Sequence, residues 1–308
     1  MKQVVGCDIS KDWFDAEIAA SPAPRRLRID NKAKAINRFA RELAAGSLVG
    51  MEATGQLHEL LAATLVKHGH TVFVINPRWI RLYGKGLGIR GKTDRSDAAL
   101  IARFVAAESS NLHPYEPPSA QQRELRKLLL QRRKLVELRN ATRQSLGRKA
   151  RGLVHHFSVT IKAIERRIAE IIKSIPDWQA LAQRLRSEPG VGAIVAAHLV
   201  EVLTRLPFQT SDAFVAHTGL DPRPNDSGQK HGRRYLTGHG DAALRTMLFM
   251  AAMTAAKRGH WRALYEAQRH KGLAATAAFI VVARKLARIA FGLFKSGGTY
   301  DETRLGPA

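Results

Sequence analysis

The chain is short of cysteine, of acidic residues and of long apolar runs, and each shortage excludes something. Cys7 is the only cysteine among 308 residues, so an intrachain disulfide and any cysteine-based zinc site are ruled out. No segment is long and apolar enough to suggest a membrane span. The best candidate, 273–294, is interrupted by Arg284, Lys285 and Arg288. The start of the chain lacks the basic stretch, apolar stretch and small-residue site of a secretory signal. These absences together predict an intracellular protein in a reducing compartment.

Acidic residues number 26 against 50 lysines and arginines, a formal charge of +24. The excess is spread over the whole length: 17 basic against 11 acidic residues in 1–115, 15 against 6 in 116–178, and 18 against 9 in 179–308. A field of that extent suggests a long anionic partner, most simply DNA or RNA. An anionic membrane surface is the weaker alternative.

Apolar periodicity predicts an α/β region first. Short strands are expected at 3–9, 13–20 and 25–30, a helix at 32–45, a strand at 48–51, a helix around Leu57–Leu65 and a strand at 71–75 closed by Asn76-Pro77. Strands followed by alternating helix and strand imply a mixed sheet. The basic, glycine-rich stretch Gly84–Lys92 is expected to be mobile, with a helix from about Thr93 to Ala107 after it. From 120 to 150, Leu125, Leu128, Leu135 and Leu138 form a narrow seam among arginines and lysines, and Ile161, Ile164, Ile168, Ile171 and Ile175 mark a second amphipathic helix. That pair reads as a helical hairpin or an intermolecular coiled coil, or as helices packed on their own domain. The remainder reads as helical, with a Gly/Pro/Asp-rich interruption at 219–240, Ala-rich core helices at 241–257 and 273–294, and a disordered tail after Lys295. The domains expected are 1–115, 116–178 and 179–308.

Against so basic a background, four carboxylates are conspicuous. Asp8 follows Val-Val-Gly-Cys, Glu52 follows Val-Gly-Met, and Asp94 and Asp97 lie in Lys-Thr-Asp-Arg-Ser-Asp-Ala. Asp94 and Asp97 share the first turn of a helix, where the macrodipole tolerates negative charge. Asp8 and Glu52 end strands that a mixed sheet can set side by side. Such a set can hold two Mg²⁺ or Mn²⁺ ions about 3.5–4 Å apart, the arrangement that clamps both oxygens of a phosphodiester displacement. Each acid also has a plainer reading: Asp94 and Asp97 as helix-capping residues, Asp8 as a strand end at a turn. Glu52, directly after an apolar strand, is harder to explain as plain surface.

Gly86–Thr93 satisfies the Gly-x-x-x-x-Gly-Lys-Thr phosphate-loop pattern, but a strand must run straight into such a loop, and here a helical turn intervenes. A nucleotide triphosphatase is therefore not expected. Pro189-Gly190-Val191-Gly192 lies between helices, and Gly190 and Gly192 can bring backbone N–H groups close to a phosphate or simply make a turn. In the interruption, Ser227 is followed by glycine and surrounded in sequence by Arg223, Lys230, Arg233 and Arg234. Guanidinium groups hold phosphate in bidentate fashion, so a serine there can serve as a nucleophile on phosphorus. Tyr235 is a second, less favoured nucleophile, because it begins an ordered segment.

Taken in order, Gly-Cys-Asp-Ile-Ser-Lys, Met-Glu-Ala-Thr-Gly, Lys-Thr-Asp-Arg-Ser-Asp-Ala, Pro-Gly-Val-Gly and Gly-Leu-Asp-Pro-Arg with Ser-Gly beyond it resemble the DEDD transposases of the insertion-sequence one-ten family, the bridge-RNA-guided recombinases. The resemblance spans roughly residues 3–295. It implies a RuvC-like N-terminal domain of the ribonuclease H fold, a coiled-coil segment and a C-terminal transposase domain. It also implies that Asp8, Glu52, Asp94 and Asp97 are the metal-binding acids and Ser227 the nucleophile. The expected partners are DNA (element ends and target), a structured non-coding guide RNA, and further copies of the chain in a dimer or tetramer. No membrane partner is expected, and the place of action is the cytoplasm, at the nucleoid. The rival reading is a RuvC-like, metal-dependent Holliday-junction nuclease that forms no covalent intermediate.

Overall fold

The structure is a computed structural model that describes residues 2–19, 23–53, 55, 57–89, 94–223, 226–227, 230–231 and 235–304. At 94–96, 223, 226–227, 230–231 and 304 it describes the backbone only. The chain divides into two compact units, Met1–Pro117 and Pro118–Ala308.

The first unit is built on β1 (Val4–Ile9), β2 (Trp13–Ala19), β3 (Arg25–Asp30), β4 (Leu48–Glu52) and β5 (Thr71–Ile75), in the sheet order β3-β2-β1-β4-β5. β2 runs antiparallel to both its neighbours, while β1, β4 and β5 are parallel. This is the ribonuclease H arrangement expected from the resemblance. The expected strands at 25–30 and 71–75 form with those bounds. Glu52 is the last residue of β4 rather than the residue after it.

Strand alternation divides the side chains between two faces. One face of the sheet, carrying Val5, Cys7, Phe14, Val49 and Met51, is covered by α1 (Ala33–Glu42) and α2 (Glu59–Lys67) through Ile36, Phe39, Leu61 and Leu65. The other face receives α4 (Asp94–Glu108), whose Ile101 and Val105 form a core with Phe73 and Ile75. α3 (Pro77–Gly86) adds Ile80 to the same core. Helix α3 corrects the expectation of a mobile stretch from Gly84. The helix continues through Gly86, and Gly84 is buried against Leu100, a methyl of which would stand 2.8 Å from a Cβ there. The rest of the phosphate-loop pattern, 90–93, lies outside the described residues.

The second unit opens with α5 (Ala120–Leu146), started by a reciprocal Ser119–Gln122 capping box. It turns through a short 3-10 segment at Gly147–Ala150, with Gly147 at φ 54°, into α6 (Arg151–Ser174). The two helices form an antiparallel hairpin, cross-linked by Arg132–Glu165 at 2.7 Å and Arg167–Glu124 at 2.8 Å. Near its open end Leu125, Leu129, Ile168, Ile171 and Ile172 are buried in the core of the unit. Leu138, Leu146, Leu153 and Val159, toward the turn, are exposed.

That core is completed by α7 (Pro176–Arg186), α8 (Ala193–Arg205), α9 (Ser211–Thr218), α10 (Ala242–Ala255), α11 (Gly259–His270) and α12 (Ala275–Ser296). α10 and α12 bury Ala251, Ala252, Ala255, Ala283, Ala287 and Ala290, small residues that let helix backbones approach closely. Between α9 and α10 the chain forms a β-ribbon: β6 (Pro222–Arg223) pairs with β9 (Tyr235–Leu236), and β7 (Asp226–Ser227) pairs with β8 (Lys230–His231).

The tail does not match the expectation of disorder through 304. The Tyr300 ring stacks on Trp261 and its N–H donates to the Ser187 hydroxyl at 2.8 Å, while Glu302 accepts from the His260 N–H at the start of α11. An aromatic and a helix-capping carboxylate give the segment a reason to dock that its composition hides. Among the described residues no helix is long and apolar enough to cross a membrane.

Candidate active site

Asp8 and Glu52 come together through two glycines. In both strands the pattern is glycine, apolar residue, acid: Gly6-Cys7-Asp8 and Gly50-Met51-Glu52. The parallel register pairs Gly6 with Gly50 and Cys7 with Met51, so the two acids follow at adjacent carboxyl ends, on the face that carries α4. A Cβ at Gly6 would overlap the Ala98 carbonyl and the Ala102 nitrogen, and one at Gly50 would overlap a Val105 methyl. The glycines therefore let α4 lie directly against the sheet. Ala98, near the start of α4 and next to Asp97, sits over Gly6, two residues before Asp8. These glycines seat α4 on the sheet, a role that the single motifs do not announce. Their signal was present as one spacing repeated in two strands.

Asp8, Glu52 and Asp97 are each partly buried and each makes an interaction within the protein. Asp94 begins α4, but its side chain lies outside the described residues. Among the described residues no three histidine, cysteine or acidic side chains gather closely enough to hold a metal ion. The donor chemistry still suits a hard divalent ion, because the available donors are carboxylate oxygens. Cys7 offers no competing soft ligand: burial, and then the neighbouring Asp8, push its thiol well above the usual range, and its side chain is on the opposite face. A further carboxylate, Asp15, pairs across the antiparallel ladder with Asp8. It is engaged elsewhere, accepting two bonds from the Arg28 guanidinium at 2.8 Å each.

In the second unit, Ser227 pairs with Lys230, which leaves two residues of the sequence between them, Gly228 and Gln229, outside the described residues. Arg223 pairs with Tyr235 lower in the ribbon. The side chains of Ser227, Arg223 and Lys230, and all of Arg233 and Arg234, also lie outside the described residues. The base of the ribbon is well defined. Thr237 donates its N–H to the Asp221 carbonyl and its hydroxyl to the Asp221 carboxylate. Arg245 Nη1 donates to the carbonyls of Thr218 and Gly238 at 3.1 and 3.2 Å. Asp241 donates its N–H to His217 and accepts from the N–H groups of Ala243 and Leu244, capping α10. Gly219 (φ 69°) and Gly240 (φ 129°) adopt backbone conformations that other residues rarely take, at points where a Cβ would strike neighbouring backbone.

Beneath the ribbon, burial lowers the pKa of His217, and it lowers that of His198 to about 4 against the opposing pull of Asp241. Both imidazoles are neutral near pH 7. At the turn between α7 and α8, Gly190 (φ 86°) lies against the Ala251 carbonyl, so packing already requires it. Gly192 has open space and is the N-cap of α8.

The same order of segments appears in known proteins. Residues 5–151 match the DEDD family model of the IS110 group, described as Transposase, and residues 182–266 match the model described as Transposase IS116/IS110/IS902 family. The chain belongs to the IS110 family of transposases. It is an enzyme that transfers DNA strands, and so a DNA-binding protein. Its relatives include the pilin gene-inverting protein of Moraxella bovis, 29% identical over 98% of both chains. The transposase of insertion sequence element IS1111A from Coxiella burnetii is 26% identical, over 81% of this chain and 77% of its own. The probable family 20 transposase of Pseudomonas aeruginosa is also 26% identical, over 80% and 82%.

Proposed function

We propose that this IS110-family transposase excises and inserts its element by divalent-metal-dependent cleavage and rejoining through a phosphoserine intermediate. The observation that carries the proposal is the paired Gly-x-acid ends of β1 and β4 beneath the start of α4. In this reading Asp8, Glu52, Asp94 and Asp97 hold Mg²⁺ or Mn²⁺. When bound, the ions withdraw charge from the scissile phosphate and steady the departing oxygen. The Ser227 hydroxyl attacks phosphorus, the Oγ–P bond forms and the bond from phosphorus to the 3′ oxygen breaks. The serine proton is transferred, in net terms, to the released 3′ hydroxyl. The 5′-phosphoserine keeps the bond energy, and attack by a new 3′ hydroxyl returns the proton to the serine and joins the strands. Arg223, Lys230, Arg233 and Arg234 neutralise the phosphate around Ser227, with Gly190 and Gly192 offering backbone contacts to the duplex. Relatives named for inverting a pilin gene fit such chemistry, since an inversion must rejoin every strand that it cuts.

A structured non-coding RNA guides the choice of DNA, and the protein works at the nucleoid in the cytoplasm as a homo-oligomer. The exposed Leu138, Leu146 and Leu153 on the turn half of the hairpin support self-association, because apolar side chains open to solvent gain from a partner. The test is a denaturing gel of the protein incubated with its element ends, the adjacent non-coding RNA and Mg²⁺. A protein–DNA adduct is expected that Ser227→Ala abolishes and Asp8→Asn reduces at least about a thousandfold, several kcal/mol of transition-state stabilisation. Strand cleavage that persists in Ser227→Ala would instead identify a junction nuclease without a covalent step.

A further inference from the structure

We propose that the exposed face of α3 is a docking surface for single-stranded DNA, on which the Trp79 indole stacks against an unpaired base and Arg78, Arg81 and Lys85 hold the flanking phosphates. The proposal rests on the reading above for the place of the cut, and it adds what holds the opened strand there. α3 begins immediately after β5, whose last residue Ile75 pairs with Glu52. Asn76 caps the helix by accepting from the Arg78 N–H, and Pro77 fixes its first turn. The exposed face thus starts at the same sheet end as Asp8 and Glu52.

The orientation of the helix is determined by its buried side. Ile80 and Gly84 are buried, Gly84 lies against Leu100, and the Tyr83 ring meets Phe104 edge-on at 5.2 Å. Helical spacing then sets Arg78, Arg81, Leu82 and Lys85 together on the opposite side with Trp79 beside them. Trp79 is 54% exposed and Leu82 52%. The chain's other tryptophans are differently placed: Trp178 and Trp261 are buried, and the Trp13 ring lies under the Arg28 guanidinium at 5.2 Å. The ten residues of α3 include three cations and no acid.

An indole held in water among cations fits an unpaired base, which offers a flat π-face and two flanking charges. A duplex keeps its base faces stacked and presents only edges and phosphates. A second copy of the chain, docked symmetrically through this face, would bring a second set of Arg78, Arg81 and Lys85 against the first. Strand exchange requires local unpairing, and a stacking platform at the site recovers part of its cost.

Fluorescence and anisotropy titrations test this in the full-length protein carrying Trp13→Phe, with chelator present so that no strand is cut. A labelled short oligo(dT) should quench the indole emission. Trp79→Phe should remove that quenching and keep the affinity within about twofold, since phenylalanine still stacks. Trp79→Ala should weaken binding at least about fivefold, with the thermal transition unchanged and duplex binding unaffected. Arg81→Ala should reduce the salt dependence of oligo(dT) binding. Quenching retained in Trp79→Phe, unaltered affinity in Trp79→Ala, a stronger dependence on Trp79 for oligo(U) than for oligo(dT), or loss of self-association in Trp79→Ala would each overturn the proposal. Because no cleavage is involved, these results stand whether or not Ser227 forms an adduct.

Discussion

The acids and the serine are held in opposite ways. Asp8 and Glu52 lie at the carboxyl ends of neighbouring strands in a five-stranded sheet, with a helix seated on those strands through glycine contacts and apolar cores on both faces. Ser227 lies in a ribbon whose two ladders have two residue pairs each, and whose base is fixed by polar bonds from Thr237, Arg245 and Asp241. The proposed metal-binding set would gain from rigidity, because its carboxylates repel one another unless their places are imposed. The proposed nucleophile, which would attack, wait as an ester and be released, would gain from a holder defined at its root.

If that contrast is right, a change beneath the acids should be global and one beneath the serine local. Gly6→Val puts a side chain into the α4 backbone, and a loss of about 3 kcal/mol or more is expected in urea unfolding. DNA strand transfer should fail with it, although every carboxylate is retained. A stable, active Gly6→Val would show that α4 is not seated through this contact. Arg245→Ala removes one donor shared by both roots of the ribbon. It should cost about 1–2 kcal/mol locally, seen as faster hydrogen exchange at Tyr235 and Leu236 and roughly tenfold slower strand transfer, with little change in the melting of the helical core. Exchange that quickens throughout α8 and α10 would contradict a local role.

An effect confined to stability concerns Glu188, buried beside the Pro-Gly-Val-Gly turn, with neither carboxyl oxygen bonded among the described residues. Burial raises its pKa well above the ordinary 4.5. The unfolded chain therefore releases this proton as pH rises past 4.5 while the folded chain keeps it, and stability is lost toward neutral pH. Glu188→Gln removes this loss, so its stability relative to the parent should improve by about 1–3 kcal/mol between pH 4.5 and pH 7 in urea unfolding. His198 acts in the other direction: with its pKa lowered to about 4, it costs stability as pH falls from 6.5. It cancels when the two proteins are compared at each pH. A gap that stays constant with pH would mean that Glu188 is ionised and solvated in the folded state.

Much of the first unit was legible in the sequence because its signals are local. The bounds of β3 and β5 were readable to the residue, β5 as a β-branched run closed by Asn76-Pro77, and the acids stood out because carboxylates are scarce beside apolar strands. What joined them was not legible from single motifs. Gly6 and Gly50 acquire meaning only when β1 and β4 are paired and α4 is laid across them. In the second unit, the isoleucine spacing of α6 marked a face that does bury Ile161, Ile168 and Ile171. The leucine seam of α5 was less well read, since Leu129, outside the expected series, is buried while Leu138 is exposed. The ribbon escaped because strands of two residues carry no periodicity. Glu188 escaped because nothing around it in the chain announces an interior carboxyl.

The docked tail bears on how this protein can be shortened. A polypeptide ending at Ser296 would bare one side of the Trp261 indole, leave the Ser187 hydroxyl without its amide donor and strip α11 of the carboxylate at its first turn. Trimming that looks harmless on composition would thus unseal the interior from a place far along the chain from the helices it protects.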